Sequence, residues 1–451
     1  MVEKKLILIR HGRAESREKV HDEAQRKLTE KGIKDIERTL PALASHFGSQ
    51  KLRIVSSALP RAMQTARLIA DYMGTEAVEQ FDWVESGDYK GLQKAYKSLD
   101  PSFTLVVVGH EPHLSAWSRR LCGFTIPFGK GGAVGFSIVS KEPLNAWPEW
   151  MLLPETVHPK GLKIKPHAAA VSEFQKILRF QCHEAFQALH KFLDAPGDPE
   201  TVHQFRINVR TFRAVLSFAK PLLESAQYTK VQNQMRQLAN KMGRLREIDV
   251  LKSKWIKLLK VYPPLEEERT VLVTALTSER QKEQDLVYGD RSDMMSVIFD
   301  VLTWIEDVLP QQAAGTGETQ KESNPQSFAS FSRKRIRKQL GKINASIDGI
   351  ADNDYAAIHR VRIQIKKLRY ALSIINPLLK LKKEDTIAFL KGLQDIFGNY
   401  CDTHRNLAVL ESLTAQDDSA EMRYEGALIS GYQIRMMEES LEKIKAVKTV
   451  R

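Results

Sequence analysis

Arg10 and His11 stand side by side at the end of an apolar run, residues 5–9, and Gly12 follows them. Arg61 comes shortly after a second such run, 52–57, and His110 ends a third, 105–109. Two imidazoles and two guanidiniums brought to one crevice suit transfer of a phosphoryl group. A neutral imidazole is a competent nucleophile towards phosphorus, and covalent catalysis divides one hard displacement into two easier ones. Arginines grip the non-bridging oxygens through paired, charge-assisted bonds and stay cationic at any relevant pH. The transferring group carries its charge on those oxygens, so positioning and electrostatics supply most of the catalysis.

Such a site needs the three runs to lie parallel in one sheet with their C-terminal ends abreast, where ligands bind in open α/β sheets. The helical stretches between them, 29–47 and 60–73, suit βαβ crossovers. A Gly-rich stretch, 123–132, contains Lys130 but is no phosphate loop. Its spacing is wrong for that motif, and Gly131 stands where the hydroxyl residue belongs.

Residues 6–139 resemble the histidine phosphatase superfamily, and its short SixA-like branch above all. Five segments carry the resemblance in family order: Leu8 to Ala14, Lys27 to Gly32, Ser56 to Ala66, Val108 to Leu114, and Lys130 to Ala133. The resemblance implies a phosphoglycerate mutase-like, three-layer α/β domain in which His11 is the phosphorylated nucleophile. Arg10, Arg61 and His110 then complete the phosphate pocket. Arg26 matches a less central family arginine, and His113 reads as an ordinary helix-start residue. Many larger relatives protonate the leaving oxygen with a carboxylate. Here the nearby options are Glu85 and Asp88, in a stretch, 81–89, that resembles the short loop of the SixA-like branch. Glu85 is either the general acid or a solvated loop charge. Without a strong acid, phosphoanhydrides and phosphoramidates are favoured over simple alkyl esters. No metal and no cofactor is expected, because the arginines supply the positive charge.

At 451 residues the chain exceeds what one core serves, so two domains are expected. The three cysteines, Cys122, Cys182 and Cys401, are odd in number and widely spaced, which argues against disulfides and structural zinc. The N-terminus has no basic-then-apolar leader and no run has the length of a membrane span, so a soluble, cytoplasmic protein is expected. Pro143, Trp147, Pro148, Trp150, Pro154, Pro159 and Pro166 mark a boundary. The expected layout is a phosphatase domain over 1–140, a Pro/Trp-containing linker over 141–167, and a helical domain over 168–447. Its halves, about 168–310 and 328–447, would be joined by a mobile loop, 311–327, that holds Gly315, Gly317 and Pro325 without apolar periodicity.

Residues 1–155 hold 22 Lys and Arg against 19 Asp and Glu, a net of +3; the remainder hold 46 against 36, a net of +10. An internal repeat gives this excess a shape. His203, Arg206, Arg210 and Arg213 occupy one helix face, and His359, Arg362, Lys366 and Arg369 repeat the spacing without a slip. An apolar stripe runs one residue away: Phe205, Val209, Phe212 and Leu216, then Val361, Ile365, Leu368 and Leu372. A second paired element follows each copy, 238–247 and 393–402, with Gly243 and Gly398 in register. Like charges aligned on one face repel, so a ligand should offset them, and a linear polyanion would.

This pattern resembles the CHAD domain, the conserved histidine α-helical domain, across 168–445. The resemblance implies an all-α fold of two pseudo-repeated helical bundles whose central basic groove binds inorganic polyphosphate. The groove residues it implies are the eight of the two repeats. Lys366 in the place of Arg210 keeps charge but loses the bidentate fork. Asn399 and Cys401 in the places of Arg244 and Arg246 suggest a lopsided groove. The substrate would be polyphosphate itself, a phosphorylated small molecule, or a phosphohistidine protein, with the helical domain tethering the enzyme to polyphosphate granules in the last case. Nucleic acid is disfavoured as a partner because the stripes carry few aromatics for base stacking.

Overall fold

A computed structural model describes residues 5–47, 51–75, 77–157, 162–261, 271–310, 326–351, 354–379, 384–417 and 419–447. The chain divides into two compact units, Met1–Lys163 with Ile298–Gln311, and Ile164–Val297 with Gln312–Arg451. The expected mobile loop, 311–327, lies outside the described residues except for its last two.

The first unit is built on a six-stranded sheet of order β3-β2-β4-β1-β5-β6. The strands are β1 (Lys5–Arg10), β2 (Lys51–Ser56), β3 (Val78–Gln80), β4 (Phe103–Gly109), β5 (Ala133–Lys141) and β6 (Leu144–Leu152). β1 to β4 run parallel, and β5 and β6 extend the sheet antiparallel. Arg10 pairs with Gly109 and Ser56 with Val108, so the three chemistry-bearing strands end abreast, as the sequence predicts. Successive side chains point to opposite faces, and in a parallel sheet covered on both sides both sets must be apolar. Ile7, Ile9, Ile54, Val106 and Val108 meet the helices Glu30–Phe47 and Pro60–Met73 on one face. Leu6, Leu8, Leu105 and Val107 are fully buried on the other.

Two expectations need correction. The stretch 144–152 is an edge strand of the sheet, not part of a linker. Its Leu144, Ala146, Pro148 and Trp150 are buried in alternation. Proline is tolerated there because an edge strand leaves some N–H groups unpaired. The first helical half also yields its end to the other unit. Ile298, Phe299, Val301, Leu302, Trp304 and Ile305 are buried, and the Phe299 ring stacks on Phe124 at 5.4 Å.

The second unit is helical. The repeat-bearing helices, Pro199–Ala219 and Tyr355–Leu379, pack against each other, each flanked by its own neighbours. All eight residues of the two apolar stripes are at most 1 % exposed. Each such burial stabilises by roughly 1.5–3 kcal/mol, which holds the adjoining cationic stripes in a fixed direction. Among the described residues no helix is long and apolar enough to cross a membrane.

Candidate functional site

In the first unit the parallel strand ends bring His11 and His110 together, with ring centroids 5.1 Å apart. His11 Nδ1–H donates to the carbonyl of Gly12 at 2.7 Å, which fixes the tautomer and leaves the Nε2 lone pair free. The backbone is tied tightly here. His11 N–H donates to Gly109 O at 3.1 Å, and Gly12 N–H donates to Thr65 Oγ1 at 3.0 Å. Gly131, at φ 75°, shares its amide between the carbonyls of Arg10 and His11.

The guanidiniums are anchored through main-chain oxygens. Arg10 Nη1 donates to Phe128 O at 2.7 Å and Arg61 Nη1 to Glu23 O at 3.0 Å. The Nε atoms of Arg10 and Arg61 and the Nδ1 of His110 are buried with no hydrogen-bond partner among the described residues. Such orphaned groups are rare in folded proteins and need an account. Ser57 Oγ lies 2.5 Å from His110 Nε2. With the serine hydroxyl donating, Nδ1 carries the imidazole proton and is free to donate.

Burial, then the charges of His110, Arg10 and Arg61, hold His11 down at about 3 against the opposing pull of the Gly12 carbonyl. Burial, followed by Arg61, His113 and Arg10, holds His110 down at about 4. Both imidazoles are therefore neutral at physiological pH. Their ring-proton resonances should stay still between pH 8 and 5 and move only as pH falls through about 4. A midpoint near 6.5 in an NMR titration would contradict this environment. The linkage has a definite sign. The unfolded chain takes up these protons near the ordinary value of 6.5 and the folded chain only at about 3 and 4, so this unit loses stability as pH falls below about 6.5.

Glu85 sits exposed on a five-residue helix, Asp82–Ser86, where a loop was expected. Its charge reaches Arg61, but among the described residues it makes no hydrogen bond into the pocket. Asp88 is consumed as a helix cap, accepting from Lys90 N–H at 3.0 Å. Arg26 is tied to Glu15 O at 2.7 Å and to the Glu23 carboxylate at 3.3 Å. The sequence reading did not single out Ser57, whose only signal is that it follows β2 by one residue.

In the second unit the repeats meet at a cavity of about 470 Å³. His203, Arg206, Arg210 and Arg213 line it from one helix, and His359, Arg362 and Lys366 from the other. Arg369 does not reach it and donates instead to Gln394 Oε1 at 2.7 Å. Its guanidinium lies over the Tyr370 ring, whereas Arg213, at the same place in the first repeat, lines the cavity. Arg246, Lys367 and Arg405 also line the cavity, so Arg405 partly restores the symmetry that Cys401 breaks. Arg405 is one turn past Cys401, a spacing from which it could have been found. Arg244 pairs with Glu279 at 3.6 Å instead. Gly243 and Gly398 lie beside the equivalent arginines, Arg206 and Arg362.

Eight Lys and Arg side chains face the cavity against two carboxylates, Glu247 and Asp402. Asp402 bonds Arg362 at 2.5 Å and Arg405 at 3.4 Å. The Nε atoms of Arg206, Arg213, Arg362 and Arg405 and the Nδ1 of His359 are buried without hydrogen-bond partners among the described residues. Burial, then Arg362 and Arg210, brings the Lys366 ammonium down to about 7. Burial, then Arg210, brings Arg206 to about 10.

Residues 6–114 match the model of the histidine phosphatase superfamily, branch 1, and residues 180–411 match that of the CHAD domain. The crystal structure of a CHAD domain from the plant Ricinus communis is similar in fold, at 20 % identity and a TM-score of 0.50, covering 64 % of this chain and 96 % of its own. A SixA structure from Agrobacterium tumefaciens aligns at 17 % identity and a TM-score of 0.29, over 34 % of this chain and all of its own. The protein histidine phosphatase SixA solved with tungstate aligns at 20 % identity and a TM-score of 0.30, over 34 % of this chain and 99 % of its own. No curated protein matches. With more than half of its length matched by one family model, the chain belongs to the CHAD-domain family, and it carries a phosphatase domain of the histidine phosphatase superfamily at its N-terminal side.

Proposed function

We propose that this protein is a metal-independent phosphatase acting through a phosphohistidine at His11, and that its helical unit binds inorganic polyphosphate. The observation that carries the catalytic half is the set of three orphaned donors, Arg10 Nε, Arg61 Nε and His110 Nδ1, around a histidine whose Nε2 is free. They suit the oxygens of a phosphoryl group. The Nε2 lone pair attacks phosphorus in line, the N–P bond forms, and the bond to the leaving group breaks with its electron pair. Water then attacks phosphorus, releases its proton, and displaces Nε2, freeing inorganic phosphate. Arg10 and Arg61 supply the charge that a cation supplies in other phosphoryl-transfer sites. No carboxylate among the described residues is placed to protonate the leaving atom, so the substrates are phosphoanhydrides or phosphoramidates, which leave without that help.

The binding half rests on the central cavity, where five unpartnered donors and a large excess of cations await an anion with many oxygens. Among the described residues no Phe, Tyr or Trp lines it, which favours a phosphate chain over stacked bases. Long-chain polyphosphate and single-stranded DNA of equal charge should therefore separate in a titration at one fixed, moderate salt concentration. Polyphosphate is expected to bind about ten-fold tighter or better. Equal or tighter DNA binding would overturn the assignment.

A further inference from the structure

The cationic surface of the helical unit does not end at the central cavity. A second cavity, of about 220 Å³, is lined by Arg335, Gln339, Lys342, Ile343, Gln364 and Lys367. Lys367 lines both. The helix Phe328–Asp348 that forms one wall carries six cations within ten residues, Arg333, Lys334, Arg335, Arg337, Lys338 and Lys342, and its one acid is the terminal Asp348. None of the six has an ion-pair partner among the described residues, although like charges at these spacings repel. Arg335 is held by donating to the carbonyls of Ser217 and Phe218 at 3.2 Å each, at the end of the repeat-bearing helix. Gln364 Oε1 is buried without a partner, and rotating that amide exchanges the acceptor for donors.

We infer that the 220 Å³ cavity is a second phosphate-chain subsite, which takes the continuation of a polyphosphate chain leaving the central cavity past Lys367. The inference rests on the polyphosphate reading above and adds a length requirement to it. A compact anion satisfies one cavity and leaves Arg335 and Lys342 of the other uncompensated. A linear polyanion offsets the repulsion at both, and each further neutralised cation releases counterions. Lys367 supports the connection. Burial, followed by the charges of Arg213 and Lys220, holds its ammonium below the ordinary lysine value, and a polyanion beside it would offset those charges.

The test compares tripolyphosphate with long-chain polyphosphate on wild type, Lys342→Glu and Arg210→Gln. Lys342 is exposed, so its reversal leaves the core intact. Lys342→Glu should weaken long-chain binding about ten-fold and leave tripolyphosphate within two-fold, whereas Arg210→Gln weakens both. Wild-type binding at both lengths in Lys342→Glu overturns the subsite alone, and an equal loss at both lengths overturns it as a mere long-range field effect. Wild-type protein that binds neither ligand overturns the underlying reading, and the subsite with it.

Discussion

His11→Ala is expected to lower phosphate release by at least ~10⁴-fold, the scale of loss when a covalent nucleophile is removed while its surroundings stay. No neighbour can substitute. His110 Nε2 is engaged by Ser57 at 2.5 Å, and its Nδ1 is needed as a donor. His11 is only 7 % exposed, so its loss leaves a void, and His11→Asn serves as a second variant that fills most of the space. Both should bind polyphosphate as wild type does, because the cavity residues belong to the other compact unit. Trapped label on His11 after brief exposure to a radiolabelled phosphoramidate, stable to alkali and lost in acid, would identify the intermediate. Full turnover in both variants would sink the mechanism. The choice of substrate carries further information. Release from long-chain polyphosphate that disappears in His11→Ala makes polyphosphate the substrate. Release from the phosphoramidate alone makes the helical unit an address and points to phosphohistidine proteins.

Much of this architecture was legible because the signals were periodic. Three apolar runs ending in Arg or His gave the parallel strands and the edge on which Arg10, His11 and His110 meet. The helix limits predicted at 29–47 and 60–73 differ by at most one residue from Glu30–Phe47 and Pro60–Met73. Seven of the eight repeat residues line the cavity, since a stripe at helical spacing fixes direction wherever its apolar neighbour is buried. Arg369 does not follow this rule. Arg213 holds the same place in the first repeat and does line the cavity, so what removes Arg369 is local: its guanidinium donates to Gln394 and lies over the Tyr370 ring. β6 was hidden because Pro148 and two tryptophans obscure an alternation that is present in burial. Ser57 and the Phe128 carbonyl were invisible to sequence, because a backbone acceptor has no residue type and a serine at a strand end has many uses. Glu85 was ambiguous in sequence, and its exposed position accounts for why.

Arg210→Gln should weaken long-chain polyphosphate binding by about 30-fold and at the same time raise the thermal stability of the unliganded protein. The two effects share one cause. Burial is the main cause that lowers the proton affinity of His203, Arg206, Arg213, Arg246, Arg362 and Lys366, and the Arg210 charge adds to it at all six, which places Arg210 at the centre of the repulsion in the cavity. Its own tether is slight, a 3.2 Å bond from Nη1 to the Tyr370 hydroxyl beside a ring 5.6 Å away. Removing one desolvated, charge-assisted contact from a binding site costs about 2 kcal/mol or more, which corresponds to the 30-fold loss. Without ligand, the same change lets Lys366, now at about 7, hold its proton more firmly, and relieves its neighbours too. A gain of about 1 kcal/mol raises the melting temperature by roughly 2–4 °C in a domain of this size. Differential scanning calorimetry with and without polyphosphate would separate the cases. A variant that melts lower than wild type in both conditions would show that Arg210 braces the helices. One that melts higher alone but gains less from ligand would show a cavity that gives up stability to hold a polyanion.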